Sequence, residues 1–197
     1  EKGTPGFTAT AIEGKCALRG IENADIIFSN CFIPAANKMR PGGFSNNTKR
    51  VLESSRALVA AACTGLVIGA YDAALQYSSM RIQFGRPLAH FQLIQERLMR
   101  ALGFASGCLA LSVQLGRRLD KGSSSPALPA LVKATASLWA REGTKLCREI
   151  MGGNGILLDF SVAKAFADVE ALYTYEGTYD INMLIAGREA TGFSAFK

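Results

Sequence analysis

Helical spacing of apolar residues over much of the chain is the feature that most limits how it can fold. From about Asn46 to Met80, one face is marked at helical intervals by Val51, Ser55, Leu58, Val59, Ala62 and Leu66. A second set runs from Ile94 to Leu115, and Lys121–Ser125 breaks it. The two sets predict long helices from about Asn46 to Met80 and on to about Leu119, each of which needs a packing partner for its apolar face.

The second half of the chain predicts further helices. Ser125 followed by Pro126 indicates a helix start, because serine is a favoured N-cap and proline fits the first helical position. The predicted face of this third helix comprises Leu128, Leu131, Thr135, Leu138, Glu142 and Leu146, and Gly152 is expected to end it. The remaining signals are a short helix near Ser161–Ala171, an irregular Tyr173–Gly177, and a last helix capped by Thr178 that reaches about Ala190. Short connections favour a mainly α fold with an antiparallel four-helix bundle.

Residues 1–45 differ from the rest, because glycine and proline interrupt short β-leaning runs such as Phe7–Ile12 and Asp25–Phe28. These runs predict two or three strands with turns. So short a β segment cannot close a core of its own, and its strand edges need partners outside this chain. We therefore interpret residues 1–45 as the C-terminal remnant of a β domain and residues 46–197 as a helical bundle domain.

Composition narrows the class of protein. The 197 residues are 49% hydrophobic and 19% charged, which allows a sizeable core. The uncharged stretch Ala57–Tyr71 is interrupted by Gly65 and Gly69 and is too short to span a membrane, so we expect a buried core helix. Five cysteines without a Cys-x-x-Cys pair favour buried free thiols in a reducing compartment. His90 is the only histidine, which argues against a histidine-based metal site.

The formal net charge of +6 is distributed along the chain, and the longest basic runs are doublets. Scattered charges favour solvated helix faces over a nucleic-acid surface. Two alternatives of another class stay open at this point: a basic, nucleic-acid-binding protein and a non-catalytic assembly module. A steep salt dependence of DNA binding would favour the first of them.

Two segments carry residues suited to chemistry. Arg81–Pro87 lies between two long helices, where an arginine, an aromatic ring and a glycine turn could hold a phosphate and a flat ring, although an ordinary helix connection is about as consistent. Glu176 is a carboxylate between aromatic residues and a glycine, just before a helix. It is a candidate base, and the alternative is a simple N-terminal helix acid.

Taken in order, these segments resemble the acyl-CoA dehydrogenase family across essentially the whole chain. The family's Arg-x-x-Phe-Gly followed by glutamine corresponds to Arg81, Phe84, Gly85 and Gln92. Its Gly-Gly-x-Gly turn corresponds to Gly152, Gly153 and Gly155, and its Tyr-Glu-Gly-Thr to Tyr175–Thr178. The resemblance implies that residues 1–45 end a truncated, β-barrel-like middle domain. Within the family the segments are most similar to glutaryl-CoA dehydrogenases and plant short-chain acyl-CoA oxidases.

The resemblance implies FAD as the cofactor. Arg81 and Phe84 are expected to reach an FAD bound mainly by a neighbouring subunit, and Gln92 and the Gly152–Gly153 backbone to contact its adenosine and pyrophosphate end. Thr178 is a further expected FAD contact. Arg56, Tyr175 and Gly177 are the expected substrate contacts. The family usually has glutamine where this chain has Glu149, and Glu149 is left out of the expected site because a carboxylate cannot donate a hydrogen bond.

The resemblance also implies a mechanism. Glu176 would remove the α-proton of an acyl-CoA thioester while the β-hydrogen leaves as hydride to flavin N5, which gives a trans-2-enoyl-CoA. The family stabilises the enolate-like charge with the main-chain N–H that corresponds to Glu176 and with a flavin ribityl hydroxyl. Some relatives carry the base on the first long helix, at the position of Ser55. Serine cannot replace it there unaided, so Glu176 is the expected base.

The same resemblance sets expectations for partners and place. The expected substrate is a short-chain acyl-CoA or glutaryl-CoA, and the electron acceptor is electron-transfer flavoprotein for a dehydrogenase or oxygen for an oxidase. A homotetramer is expected, in the mitochondrial matrix or alternatively in a peroxisome or related organelle. The chain starts abruptly at Glu1, so we expect a fragment that is inactive alone and binds FAD poorly.

Overall fold

The computed structural model describes residues 2–38 and 43–195, which fold as a small β-hairpin followed by a helical bundle. The hairpin consists of β1, Phe7–Ala11, and β2, Ala24–Phe28, paired antiparallel. The bundle consists of α1 (Gly43–Met80), α2 (Gln92–Asp120), α3 (Ala127–Ile150), α4 (Ser161–Thr174) and α5 (Tyr179–Thr191). The expected mainly α fold with a few preceding strands is confirmed.

Helix α3 lies at the centre of the bundle and packs against α1, α2, α4 and α5. Its buried positions are mostly small, among them Ala130, Ala134, Ala136, Ala140 and Gly143. Small side chains let neighbouring helix backbones approach closely on several sides. This explains how one helix of modest length can serve as the core of the whole bundle.

The expected apolar faces of α1 and α3 are partly wrong. In α3, Leu131 is 41% exposed and the other predicted positions up to Glu142 are only half-buried, while the centre of the helix is buried through its small residues. In α1, Leu58 is 72% exposed, whereas Val59 is buried as predicted, and the rest of the buried face is formed by Ala60, Cys63, Val67, Ala70 and Ala74. The pattern in α2 is correct at Leu98, Ala101, Ala105, Cys108 and Leu115.

Three local features differ from the sequence-based expectations. The α1–α2 connection contains a small antiparallel ribbon, β3 (Ile82–Gln83) with β4 (Arg86–Pro87), which the pattern does not predict. Helix α4 continues to Thr174, because Tyr175 N–H still donates to Ala171 O at 2.9 Å, so the irregular segment is shorter than expected. Helix α3 begins at Ala127, and its N-cap makes no side-chain hydrogen bond.

The hairpin is largely exposed. Ile26, Ile27 and Phe28 of β2 are all more than half exposed, as expected for a β segment whose covering partners lie outside this chain. The connection between β1 and β2 contacts the bundle, where Leu18 N–H donates to the Asp168 carboxylate at 2.6 Å. The cysteines are free, as expected, but only Cys63, Cys108 and Cys147 are buried, whereas Cys16 is exposed.

Two helical segments, Val51–Met80 and Gln92–Asp120, are long and apolar enough to cross a membrane by length and composition. Only 39% and 28% of their most apolar windows are buried within the chain. Both helices nevertheless pack along α3, and core helices of a soluble bundle meet the same criterion. The apolar residues that these helices leave exposed form surfaces of the kind that contact another molecule.

Candidate active site

Glu176 lies on a tight loop between α4 and α5, and its backbone is in the left-handed region with φ of 57°. A non-glycine residue rarely adopts this conformation unless surrounding contacts hold it there. Gly177 follows with φ of 83°, and a Cβ at that position would meet the Asn182 amide nitrogen at 3.0 Å. The loop therefore needs glycine after Glu176, and it presents the carboxylate from a fixed, unusual backbone.

Helix α1 contributes two side chains beside this carboxylate. The Ser55 hydroxyl donates to Glu176 Oε2 at 2.5 Å, and Arg56 Nε lies 3.4 Å from the Glu176 main-chain oxygen. Arg56 is buried, and burial lowers its pKa while the negative charge of Glu176 acts in the opposite direction. Sequence reasoning named both α1 positions separately, and the structure brings them together on Glu176.

Two buried side chains that sequence reasoning missed also hold the loop. Lys133 of α3 donates to Gly177 O at 2.7 Å and to Tyr173 O at 3.3 Å. Asn182 of α5 donates to Gly177 O at 2.7 Å and to Thr178 O at 3.1 Å. A signal for Lys133 was present, because it is the only charged residue between Lys121 and Arg141.

The two ends of the loop are closed by aromatic stacking. The rings of Tyr173 and Tyr179 stack with centroids 5.5 Å apart and planes 10° apart. Thr178 caps α5 as expected, since its hydroxyl oxygen accepts the Ile181 N–H at 3.3 Å. Accepting this bond leaves the hydroxyl hydrogen of Thr178 to donate elsewhere. Tyr175, next to the carboxylate, keeps 41% of its surface exposed.

A second candidate site lies at the other end of the bundle. A groove of about 420 Å³ is lined by Arg81 after α1, by Leu88 and Ile94 around the start of α2, and by the segment from Glu149 to Asn154 after α3. The space beside the Cα atoms of Gly152 and Gly153 is open, so their main chain is accessible. Gly155 is required by close packing instead, since a Cβ there would lie 2.3 Å from Arg148 O. The structure thus brings Arg81, Gly152 and Gly153 to one groove.

Phe84 and Gln92 do not line this groove but lie on the same α1–α2 connection. Phe84 and Gly85 both have positive φ, 52° and 79°, at the tip of the β3–β4 ribbon, as a two-residue type I′ turn requires. Phe84 is 90% exposed, although its ring touches Phe91 edge-on with centroids 6.0 Å apart. An aromatic ring that a strained turn holds out from the surface is a candidate for contact with another molecule. Gln92 is exposed at the first position of α2.

The groove suits a dinucleotide. Its arginine, accessible glycine main chain and apolar walls match the donors and surfaces that a pyrophosphate and a flat ring need. The one carboxylate in the lining, Glu149, is paired with Arg97 at 3.1 Å, so its negative charge is compensated. The donor set of this end of the bundle therefore fits FAD.

The sequence and the fold were then compared with known proteins. Residues 42–191 match the family described as acyl-CoA dehydrogenase, C-terminal domain. An acryloyl-CoA reductase (NADH) from Anaerotignum propionicum is 34% identical over 190 residues, which cover 96% of this chain and 48% of that protein. The chain spans about half the length of the curated relatives it matches.

Solved structures agree. A glutaryl-CoA dehydrogenase from Mycobacterium smegmatis in complex with FADH2 superposes with a TM-score of 0.93 at 29% identity, covering 99% of this chain and 50% of that chain. A chain from the structure of the electron transferring flavoprotein of Acidaminococcus fermentans gives a TM-score of 0.89 at 29% identity, covering 97% and 50%. Together with the match over residues 42–191, these similarities show that the chain belongs to the acyl-CoA dehydrogenase family and carries its C-terminal domain.

Proposed function

We propose that this chain is the C-terminal part of an FAD-dependent acyl-CoA dehydrogenase and that Glu176 is its catalytic base. The observation that carries the proposal is the Glu176 loop. A carboxylate stands on a strained left-handed backbone, bonded to Ser55 and held by donors from three helices. Strain of this kind, supported from several sides, is typical of residues whose direction matters for chemistry.

In this reaction Glu176 takes the α-proton of the acyl thioester as the saturated Cα–Cβ bond becomes a trans double bond. The α-proton is only weakly acidic, so the developing charge on the thioester oxygen needs donors, and we assign the Glu176 main-chain N–H as one of them. Arg56 holds the loop by donating from Nε to the Glu176 main-chain oxygen. Tyr175 and Gly177 flank the base and are the proposed substrate contacts.

The proposed cofactor is FAD, which accepts the β-hydrogen as a hydride when it is bound. Arg81 and the main chain of Gly152 and Gly153 would hold its pyrophosphate end, and Phe84 and Gln92 would contact it from the α1–α2 connection. The Thr178 hydroxyl, beside the base, would contact the flavin end. The donor set of the groove and the similarity to a glutaryl-CoA dehydrogenase in complex with FADH2 support this assignment.

The two sites lie too far apart to serve one cofactor in one subunit. Arg56, which contacts the Glu176 loop, lies in the first half of α1, and Met80 is its last residue; a rise of 1.5 Å per residue separates them by about 36 Å, more than the width of a small domain. We propose that the Arg81 groove of one subunit completes the site built around Glu176 of another. The exposed apolar residues of α1 and α2 supply the surfaces for this assembly, which we propose to be a homotetramer.

Substrate and acceptor follow from the relatives as proposals. A short-chain acyl-CoA or glutaryl-CoA is the proposed substrate, and electron transferring flavoprotein the proposed acceptor, with oxygen as the alternative for an oxidase. The similarity to an acryloyl-CoA reductase favours a second candidate, the same chemistry run toward the saturated thioester. We propose a mitochondrial matrix location, with a peroxisome or related organelle as the alternative.

The test uses the full-length parent protein loaded with FAD and its Glu176→Gln variant. Anaerobic addition of butyryl-, hexanoyl- or glutaryl-CoA should bleach the visible absorbance of the flavin in the parent, and enoyl-CoA should form. The variant should keep its FAD but not bleach, whereas Glu189→Gln, which alters an exposed carboxylate on α5, should bleach like the parent. A parent that holds FAD but is bleached by none of these thioesters would refute the proposed function and favour a binding or assembly role.

A further inference from the structure

Lys133 is a lysine with no exposed surface, on the central helix of the bundle. Its pKa is lowered from 10.5 to about 8, chiefly by burial and also by the nearby Arg56, while Cys63 and Glu176 act in the opposite direction. Removing an ammonium group from water costs free energy unless the protein provides partners. The hydrogen-bond partners of Lys133 are two main-chain oxygens of the Glu176 loop, Gly177 O and Tyr173 O.

The donors around this loop converge on its carbonyl groups. Gly177 O accepts from Lys133 Nζ and from Asn182 Nδ2, each at 2.7 Å. Asn182 is also fully buried, and its amide nitrogen lies 3.4 Å from Glu176 O as well. Arg56 approaches the same Glu176 oxygen. Buried side chains of the bundle thus hold the carbonyl groups of both Glu176 and Gly177.

This pattern matters because Glu176 and Gly177 are consecutive residues in the left-handed region. Such a backbone is strained for a non-glycine residue and relaxes unless its neighbours fix it. Rotation of the Gly177 carbonyl away from Lys133 would turn the adjoining peptide groups and redirect the Glu176 side chain. The lysine contact therefore controls the direction of the carboxylate without touching it.

We propose that Lys133 is a positioning residue for the base, acting with Asn182 to hold the Gly177 and Tyr173 carbonyls so that Glu176 projects in one direction. The proposal rests on the proposed function, because the direction matters only if Glu176 abstracts a proton. It differs from a purely structural role. A positioning role predicts that loss of the lysine slows proton abstraction while leaving the fold, FAD content and substrate affinity nearly unchanged.

The test compares Lys133→Met, Lys133→Gln and Lys145→Met in the full-length, FAD-loaded protein. Methionine fills the space without a donor, glutamine keeps a neutral donor, and Lys145→Met makes the same change at an exposed position of α3. The readouts are the rate of flavin reduction at saturating acyl-CoA, the KM, and the isotope effect with α-deuterated substrate. FAD content and assembly by light scattering are recorded alongside.

For Lys133→Met we expect flavin reduction to slow about 100-fold, since a base misplaced by about 1 Å costs that much, with KM changed less than about threefold. The α-deuterium isotope effect should rise, because proton abstraction becomes more rate-limiting. Lys133→Gln should recover part of the rate, and Lys145→Met should match the parent. If Lys133→Met loses its fold, Lys133→Gln alone should still show a lower rate and a larger isotope effect at unchanged KM.

The outcomes separate the two proposals. A parent that is not reduced by acyl-CoA refutes the proposed function, and the role of Lys133 is refuted with it. A parent that is reduced, with equal rates and isotope effects in the Lys133 variants that fold, refutes the positioning role alone. A rate loss that comes with a matching rise in KM or loss of FAD would also refute it, because a structural defect would then be sufficient.

Discussion

The hydrogen bond from Ser55 to Glu176 joins the two positions at which the family resemblance leads us to consider a base. Here the serine donates to the carboxylate at 2.5 Å. The hydroxyl restricts which oxygen of Glu176 faces outward and keeps the side chain from rotating. Under the proposed function, Glu176 is the base and Ser55 orients it.

Replacement of Ser55 by alanine should therefore slow flavin reduction by about tenfold, because Glu176 loses the contact that orients its carboxylate, and a base misplaced by about 1 Å can slow a reaction about 100-fold. Ser55→Thr keeps the hydroxyl and should retain most of the rate. Ser79→Ala is the matched control, since that exposed serine on α1 bonds only Leu75 O at 2.9 Å. Equal rates in Ser55→Ala and the parent would show that the bond has no role in the reaction.

The buried lysine also predicts how stability depends on pH. Lys133 has a folded-state pKa of about 8 and a model-peptide value of 10.5, so the unfolded chain binds more protons between these limits. Its destabilising effect is full below about pH 8 and is relieved as the pH rises toward 10.5. Relative to Lys133→Met, the full-length parent should gain on the order of 2 kcal/mol across this range. Thermal unfolding of the parent and of Lys133→Met at several pH values measures this gain in stability. A difference in Tm that stays constant with pH would contradict the prediction.

For single residues, the sequence identifies candidate site residues where they stand in a distinctive local pattern. Glu176 and Arg81 stand in recognisable segments, and the structure places the first on a constrained loop and the second in a groove. Lys133 and Asn182 could not be assigned, because their role depends on which carbonyl groups a distant part of the chain brings to them. The joining of Ser55 to Glu176 is likewise a tertiary contact across 121 positions.

Among the helices, α3 packs closely against its neighbours where one of the two helices has a glycine. Gly107 of α2 faces the Trp139 ring of α3, and a Cβ there would lie 2.7 Å from the ring. A Cβ added at Gly143 of α3 would lie 2.6 Å from the Val67 side chain of α1. These glycines allow helices to pack at short distance around a large ring and a branched side chain.

Gly107→Ala should consequently destabilise the protein by about 1–3 kcal/mol through overpacking. Gly116→Ala on the same helix is the control, because nothing lies within 4 Å of the added Cβ. That change should be neutral or stabilise by up to about 1 kcal/mol through helix propensity. The comparison is made by thermal unfolding of the full-length, FAD-loaded protein, and similar Tm values for the two variants would contradict the packing described for Trp139.

Periodicity predicted the position of every helix but not always the face that is buried. It succeeded for α2 at Leu98, Ala101, Ala105, Cys108 and Leu115, which are buried. It failed for α3 because this helix packs against four other helices, and its close contacts use small residues instead of large ones. It failed for part of α1 because apolar residues such as Leu58 face outward, toward a surface that another copy would cover.

For the whole molecule, the separation between the Glu176 loop and the Arg81 groove is the central feature. Arg56, which contacts the loop, and Met80, next to Arg81, lie about 36 Å apart along α1. The outward apolar residues of α2, including Leu93, Met99, Leu109 and Val113, lie on the helix that starts beside this groove. Assembly of copies would cover these residues and complete both sites together.

The measurement that tests this account most directly mixes two inactive variants of the full-length protein. Glu176→Gln lacks the base and Arg81→Ala lacks the groove arginine, and the two are co-expressed with different tags and purified as mixed oligomers. If each site combines Glu176 of one subunit with Arg81 of another, a mixed pair contains one intact site. One of the two sites in each mixed pair is then intact, so flavin reduction by acyl-CoA should recover to about half of the parent level in oligomers made only of mixed pairs, and to about a quarter for random pairing. Activity no greater than that of the separate variants would contradict a site shared between subunits and built on these two residues.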